Sequence, residues 1–310
     1  FRTVTVAGCI VIGVTIVACT LATIVVHAVL PAKVDEALLD GVLVLRFGFP
    51  AVAVAYFLIL FTHCSATVVA SWPTARYGPR RHGLVVGLAF AVMYVIGMQE
   101  IMVDTSPFSA WGSDFVIYQT IIGLGDAVPV IVLCAVVGAL LAGRPRVGAS
   151  PHGGGVVLLV VTTLLIGTVR LGLSISGVIH SGIADYPAAV VAWGYLLGLG
   201  FGFAAVLLAR ANRACRTVMV FGVGVNWIIF NSFIGLVFGG TMGDALLRSV
   251  IDVAALSVSL LLADKVARLR RPHAARATLR PRGPIIRTER SDDGSGAAPA
   301  PSTIDSEVTQ

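Results

Sequence analysis

The sequence predicts an all-helical bundle that crosses a membrane about eight times, and three observations support this fold class. Hydrophobic residues make up 57% of the 310 positions, whereas only 12% are charged. That charged share is about half of the roughly 25% usual in soluble domains, so too little polar surface remains to face water. The mean hydropathy is +0.92. Finally, basic residues recur in every second loop, as multi-spanning proteins require.

Eight apolar runs are long enough to span the hydrocarbon core, which takes about 20 helical residues. The first run is longer than the ~7–15 apolar residues of a signal peptide, so it is counted as a true span. The predicted spans are 3–28, 42–70, 84–103, 115–142, 156–180, 188–209, 217–239 and 245–263.

Charge sorts the loops between these spans into two sets. One set is basic, whereas the alternate loops carry mainly acids such as Asp40, Asp185 and Asp244. Basic segments resist translocation and therefore mark the cytoplasmic side. All basic segments fall on one side if the chain has eight spans with both termini in the cytoplasm, in a bacterial-type plasma membrane. They contain Arg76, Arg80, Arg81, Arg144, Arg146, Arg210, Arg213, Arg216 and the tail from Lys265.

The chain changes character after the last apolar run. Residues 264–271 predict a basic extension of the eighth helix that ends at Pro272. Residues 272–310 are rich in Pro, Gly, Ser and Ala, with basic residues first and acids last. This composition predicts a disordered cytoplasmic tail after a helical domain of residues 1–271. The tail arginines either anchor the last span or contact anionic lipid headgroups or a cytoplasmic partner.

Arg170 lies near the middle of the fifth apolar run. A lipid-facing charge at that depth costs about 2.5–3.5 kcal/mol, so the side chain needs an acidic partner inside the bundle. Depth along each span, at ~1.5 Å per residue, predicts Asp126 as this partner and Asp252 as the second choice. Arg46 and Glu100 lie in the outer parts of the second and third spans.

These charges predict a polar cavity that opens to the outside, because most of them occupy the outer half of the membrane. Three carboxylates against two arginines leave one acid in excess, and such a group in a low-dielectric site can take up a proton. The pattern favours a proton-coupled transporter or permease, although a static ion pair that fixes helix packing accounts for the same residues. The predicted cavity residues are Arg46, Glu100, Asp126, Arg170 and Asp252.

The surroundings of Asp126 favour it as the proton or substrate site. Gly123, Gly125 and Pro129 weaken helices and predict an interruption of the fourth span. An interrupted helix exposes backbone groups that bind a substrate or an ion. Arg170 would then act as the counter-charge of Asp126 or as an anion ligand.

Two other functions stay open on the sequence. A non-catalytic sensor or scaffold subunit would recruit its partner through the tail. An outer-face enzyme on lipid-linked substrates would use His27 and His180, but these lack a metal-ligand spacing, and no GxSxG, Walker A or GxGxxG motif occurs. We therefore predict no catalytic residue, metal or cofactor. Nucleic-acid binding is not indicated, since the basic residues sit beside apolar runs.

Glycines at four-residue spacing occur in three spans. Such spacing lets helix backbones approach closely, which predicts packing within the bundle or, alternatively, a homodimer contact. The glycines are Gly83 and Gly87, then Gly194, Gly198 and Gly202, and finally Gly235 and Gly239.

Overall fold

The computed structural model describes residues 4–30, 39–100, 112–143 and 154–278. In these ranges the chain has no β-strand, and eight of its helices are long and apolar enough to cross a membrane. The prediction of an eight-span helical protein is therefore confirmed. The described helices are α1 Val6–Val29, α2 Val42–Phe47, α3 Phe49–Ser71, α4 Pro79–Gly97, α5 Gly112–Ala139, α6 Gly155–Ile175, α7 Pro187–Ala211, α8 Cys215–Val237 and α9 Met242–Thr278.

The second predicted span divides into two helices, α2 and α3. Gly48 between them has a φ of 80°, which glycine adopts without the steric penalty of a Cβ. Pro50 follows in the first turn of α3, where a missing N–H costs little. The six residues of α2 are too few to span, so Arg46 lies outside the membrane-crossing helix.

The predicted interruption near Asp126 is wrong, because α5 is continuous and contains Pro129 within it. Neighbouring helices support it on two sides. A Cβ added to Gly123 would lie 2.9 Å from Val95 Cα, and one added to Gly125 would lie 2.5 Å from Val26 Cγ1. These glycines therefore serve close packing, not helix breaking.

The last helix also differs from the prediction, since α9 continues past Pro272 to Thr278. A proline inside a helix removes one hydrogen bond and strains the preceding turn, but it does not end every helix. The described residues up to Arg270 form one compact unit, and those from Arg271 belong to a second. The tail after residue 278 and the loop arginines 144 and 146 lie outside the described residues.

The glycine prediction of packing within the bundle is confirmed for two antiparallel pairs. Between α4 and α5, Gly83 and Gly87 lie against Cys134. Between α6 and α7, a Cβ on Gly198 would lie 2.5 Å from the Thr163 carbonyl oxygen. The hydrophobic core connects the two pairs, because α4 also packs against α7.

The loops meet at the two ends of the bundle. At one end, Ala75 and Asn212 join the loops after α3 and α7 through an isolated β-bridge. At the other end, Asp40 accepts a hydrogen bond from Gly239 N at 2.7 Å, and Asp244 accepts one from His180 N at 2.8 Å. We call the first end the basic face, after its arginines 76, 80, 81, 210, 213 and 216, and the second the acidic face, after Asp40, Asp185 and Asp244.

Candidate functional site

Arg170 binds two acids in the interior of the bundle. Its Nε and Nη2 donate to the two carboxylate oxygens of Asp252 at 2.7 and 2.6 Å, and Nη2 also donates to Glu100 Oε1 at 3.0 Å. Only 3% of Arg170 and 0% of Asp252 is exposed. The predicted pairing of Arg170 with Asp126 is therefore wrong, and the second choice, Asp252, is the partner.

A second arginine extends this network towards the acidic face. Arg248 Nη1 donates to Glu100 Oε1 at 3.2 Å, and Nη2 pairs with Asp244 Oδ2 at 3.1 Å. Positive and negative groups thus alternate from the acidic face to mid-bundle. We call this set of five the arginine network: Asp244, Arg248, Glu100, Arg170 and Asp252.

Aromatic side chains enclose the inner end of the arginine network. Trp227 Nε1 donates to Asp252 Oδ2 at 2.8 Å, so this carboxylate accepts three hydrogen bonds. The guanidinium of Arg170 lies 5.2 Å from the ring centre of Trp193, a distance at which cation–π attraction operates. Three donors thus surround the Asp252 carboxylate, as a buried polar group requires.

A small cavity lies between the arginine network and the loop that follows α6. It measures about 20 Å³ and is bordered by Glu100, His180 and Ser181. This volume holds about one water molecule. At this position the described residues form a water-sized space, much smaller than the substrate cavity that the sequence led us to expect.

Asp126 lies apart from the arginine network, on the side of the bundle formed by α1. One of its carboxylate oxygens, Oδ1, hydrogen-bonds with His27 Nε2 at 3.0 Å. The other, Oδ2, has no hydrogen-bond partner among the described residues. The Asp126 side chain is 0% exposed, whereas that of His27 is 32% exposed. The His27–Asp126 pair therefore joins a buried acid to a partly accessible base.

Sequence reasoning missed a polar face of α1 that continues from this pair. Cys19, Thr20, Thr23 and His27 recur at helical spacing, and the first three are buried. Cys19 Sγ donates to the Pro129 carbonyl oxygen at 3.4 Å, whereas the two threonine hydroxyls have no partner among the described residues. The spacing of three and four residues was the available signal, because such positions share one helix face.

A third polar group connects α3, α4 and α8. Tyr94 Oη donates to Asn226 Oδ1 at 3.0 Å, and Tyr94 Oη and Cys64 Sγ lie 3.2 Å apart. Asn226 follows a π-helical segment, Val218–Gly224, in α8. Such segments frequently mark functional sites, and this one breaks the regular register of the helix beside a buried amide.

The five predicted cavity residues thus fall into three places. Glu100, Arg170 and Asp252 lie together in the arginine network. Asp126 pairs instead with His27. Arg46 is exposed on α2, with its guanidinium 5.3 Å from the ring centre of Phe47. The sequence placed all five in the middle or outer half of the membrane, but the tertiary structure separates them around the bundle.

No protein-family model matches the chain, and no curated protein or solved structure does either. The chain is a multi-span membrane protein with two separate buried acidic centres. What it does must therefore be inferred from the chemistry of its buried groups.

Proposed function

We propose that the chain is a proton-coupled transporter of the plasma membrane and that the His27–Asp126 pair is its proton site. The supporting observation is the Asp126 carboxylate, which is 0% exposed yet has one oxygen without a hydrogen-bond partner among the described residues. A buried charge with so little compensation is costly, so the site gains from a change of protonation.

The identity of the base supports this assignment. Histidine exchanges a proton near neutral pH, whereas arginine keeps its proton under all physiological conditions. Each group of the His27–Asp126 pair has a protonated and a deprotonated form, so the pair can carry a net charge of +1, 0 or −1. Each change alters the charge buried between α1 and α5, and that charge biases how the two helices pack.

The exposure of the two partners supports a proton route from the acidic face. His27 lies in the last turn of α1 and is about one third exposed, with 32% of its side chain accessible, whereas Asp126 is enclosed. A proton would reach Asp126 through His27. The hydroxyls of Thr23 and Thr20, which can donate and accept, would continue the route along α1 towards the basic face.

The arginine network has a different role in this proposal. Within the network, the two buried arginines face two buried acids, Glu100 and Asp252, so the formal charges of these four residues cancel. Because neither arginine releases its proton, the charge of the network could change only at its carboxylates, each of which is held in an ion pair with an arginine. It serves as the rigid brace against which α1 and α5 move.

Proton binding can be measured directly on Asp126. In infrared difference spectra of the purified protein after a pH change, the wild type is expected to show a band from a buried protonated carboxyl group. The Asp126→Asn variant should lack this band. Asp185→Asn removes an exposed acid at the acidic face and should keep it. A band of equal intensity in Asp126→Asn would refute the proton site.

Proton transport through the His27–Asp126 pair is tested by measuring proton flux into liposomes that contain the protein and a pH-sensitive dye. Under an imposed potential, Asp126→Asn is expected to lower flux at least tenfold, a loss of the kind that removing a required proton carrier produces. Asp185→Asn should leave flux unchanged. Equal flux in the wild type and Asp126→Asn, with both folded by size exclusion, would contradict the proposal.

A further inference from the structure

A cavity of about 850 Å³ lies at the basic face, among α6, α7, α9 and the start of α8. Its volume falls in the range of about 300–1,000 Å³ that small-molecule sites occupy. Leu158, Val206 and Leu260 form part of its apolar wall. The cavity is distinct from both buried acidic centres, because none of their residues lines it.

The polar part of the cavity carries a net positive charge. Arg210, Arg213 and Arg216 line it, and Asp264 is the only acid among its lining residues in the described chain. Asp264 pairs with Arg216. The arginines thus exceed the acids by two, which favours an anionic ligand.

The arginine loop between α7 and α8 is held in place by a buried amide. Asn212, which is 1% exposed, donates to the Ser71 carbonyl oxygen and accepts from Thr74 Oγ1, each at 2.8 Å. Its Oδ1 also accepts from Ala214 N at 2.8 Å. Arg213 N donates to the Thr74 carbonyl oxygen at 2.9 Å. The backbone that presents these arginines is therefore preorganised, which reduces the entropic cost of binding.

The depth of the cavity matches that of lipid headgroups. Its wall contains the first residue of α6, Gly155, and the first residue of α8, Cys215, together with Ala267 at the end of the last span. These span ends lie where the hydrocarbon gives way to the polar headgroup region. The 21-residue helix α6 also begins here without a side-chain cap, and its N-terminal dipole adds a favourable field for an anion.

We propose that this cavity binds the phosphate headgroup of an anionic phospholipid from the leaflet at the basic face. The phosphate would contact Arg210 and Arg213, and the upper acyl chain would lie along Leu158, Val206 and Leu260. Basic pockets between membrane helices are known to take such headgroups. This assignment does not depend on proton transport, because it involves other residues at the opposite end of the bundle.

The test uses the purified full-length chain in detergent, with lipid retention measured by native mass spectrometry. Wild-type protein is expected to retain one phosphatidylglycerol with at least tenfold preference over phosphatidylcholine. Arg210→Gln together with Arg213→Gln should weaken phosphatidylglycerol binding by roughly thirtyfold, the effect of two charges near a headgroup. The matched control, Arg80→Gln with Lys265→Gln, removes two exposed charges outside the cavity and should retain wild-type binding.

A second variant separates the cavity from general surface charge. Ala209→Phe fills the cavity without changing any charge and should lower phosphatidylglycerol binding at least tenfold. Equal losses in the two double variants, or wild-type binding in Ala209→Phe, would overturn the proposal.

Competition with glycerol phosphate distinguishes a lipid headgroup from a soluble phosphate ester as the source of the anion. If it displaces the lipid at equal concentration, the site takes a soluble phosphate ester and the lipid assignment is wrong.

Discussion

Asp252 and Asp126 are both 0% exposed, yet their surroundings differ sharply. Asp252 accepts three hydrogen bonds, two of them from Arg170 and one from Trp227. Asp126 has one hydrogen bond, to His27, and its second oxygen has no partner among the described residues. Burial alone therefore does not set the two acids apart. The number and kind of compensating groups do, and the roles proposed for the two acids rest on that difference.

The basic partners of the two acids also differ in their chemistry. A guanidinium is a permanent cation with five donors in a fixed plane, so it locks the carboxylates around it. An imidazole has two ring nitrogens and exchanges a proton near neutral pH. This contrast underlies the proposed roles, in which the arginine network stays fixed and the His27–Asp126 pair binds and releases protons. Three predictions test this contrast, from the largest expected effect to the smallest.

Breaking the arginine network should cause the largest loss of stability. Arg170→Met leaves the carboxylate of Asp252 buried without its counter-charge, so the free energy of unfolding should fall by about 3–5 kcal/mol. Denaturant titration in detergent, followed by circular dichroism, measures this. Arg46→Met removes an exposed arginine and serves as the control, with stability unchanged.

A double variant sharpens the same comparison. Arg170→Met with Asp252→Leu removes both charges, while Glu100 keeps its contact with Arg248. Most of the lost stability should return, because apolar replacement of a whole buried pair is often neutral. A double variant as unstable as Arg170→Met would show that the ion pair is not the source of the loss.

Alanine substitutions at two tightly packed glycines should lower the stability of the protein unequally. A Cβ at Gly198 would meet the Thr163 carbonyl oxygen at 2.5 Å and its Cα at 3.0 Å, and backbone cannot move aside easily. Gly198→Ala should therefore cost about 1–3 kcal/mol of unfolding free energy. At Gly125 the added group meets only side-chain atoms of Val26, which shift more easily than backbone, so the cost should be smaller.

Flux distinguishes these two variants further. Gly125→Ala acts beside Asp126 and should alter proton flux in liposomes, whereas Gly198→Ala should destabilise the protein without changing the flux of the folded fraction. Gly172→Ala is the control, since nothing lies within 4 Å of its added Cβ. The reverse order of stabilities would mean that the α6–α7 contact is looser than the structure indicates.

Trp227→Phe should have the smallest effect. It removes one hydrogen bond to Asp252 and keeps most of the ring packing. Hydrogen bonds within membrane bundles contribute about 1 kcal/mol, so the unfolding free energy should fall by about that amount. Proton flux should stay at the wild-type level. A loss of flux comparable to that of Asp126→Asn would assign proton transfer to the arginine network instead.

The candidate site was predictable in part. The sequence predicted that Arg170 pairs with an acid, because an unpaired arginine in lipid is costly. Asp252 was the second choice for that acid by depth. The sequence pointed to His27 only as a residue that an outer-face enzyme would use together with His180. Its pairing with Asp126 depends on α1 lying against α5, and these helices are separated in the sequence by α2, α3 and α4.

The sequence by itself determined the number and order of the spanning helices, because hydropathy and alternating loop charge follow directly from the cost of placing polar groups in lipid. It also determined that charged groups such as Arg170 must lie inside. Only the tertiary structure decided which charges meet. The position of a residue along its span gives only its depth in the membrane, and both Asp126 and Asp252 lie at a depth that allows pairing with Arg170. The direction each helix face points around the bundle depends on packing against every neighbour, and that direction placed Asp252 with Arg170 and Asp126 with His27.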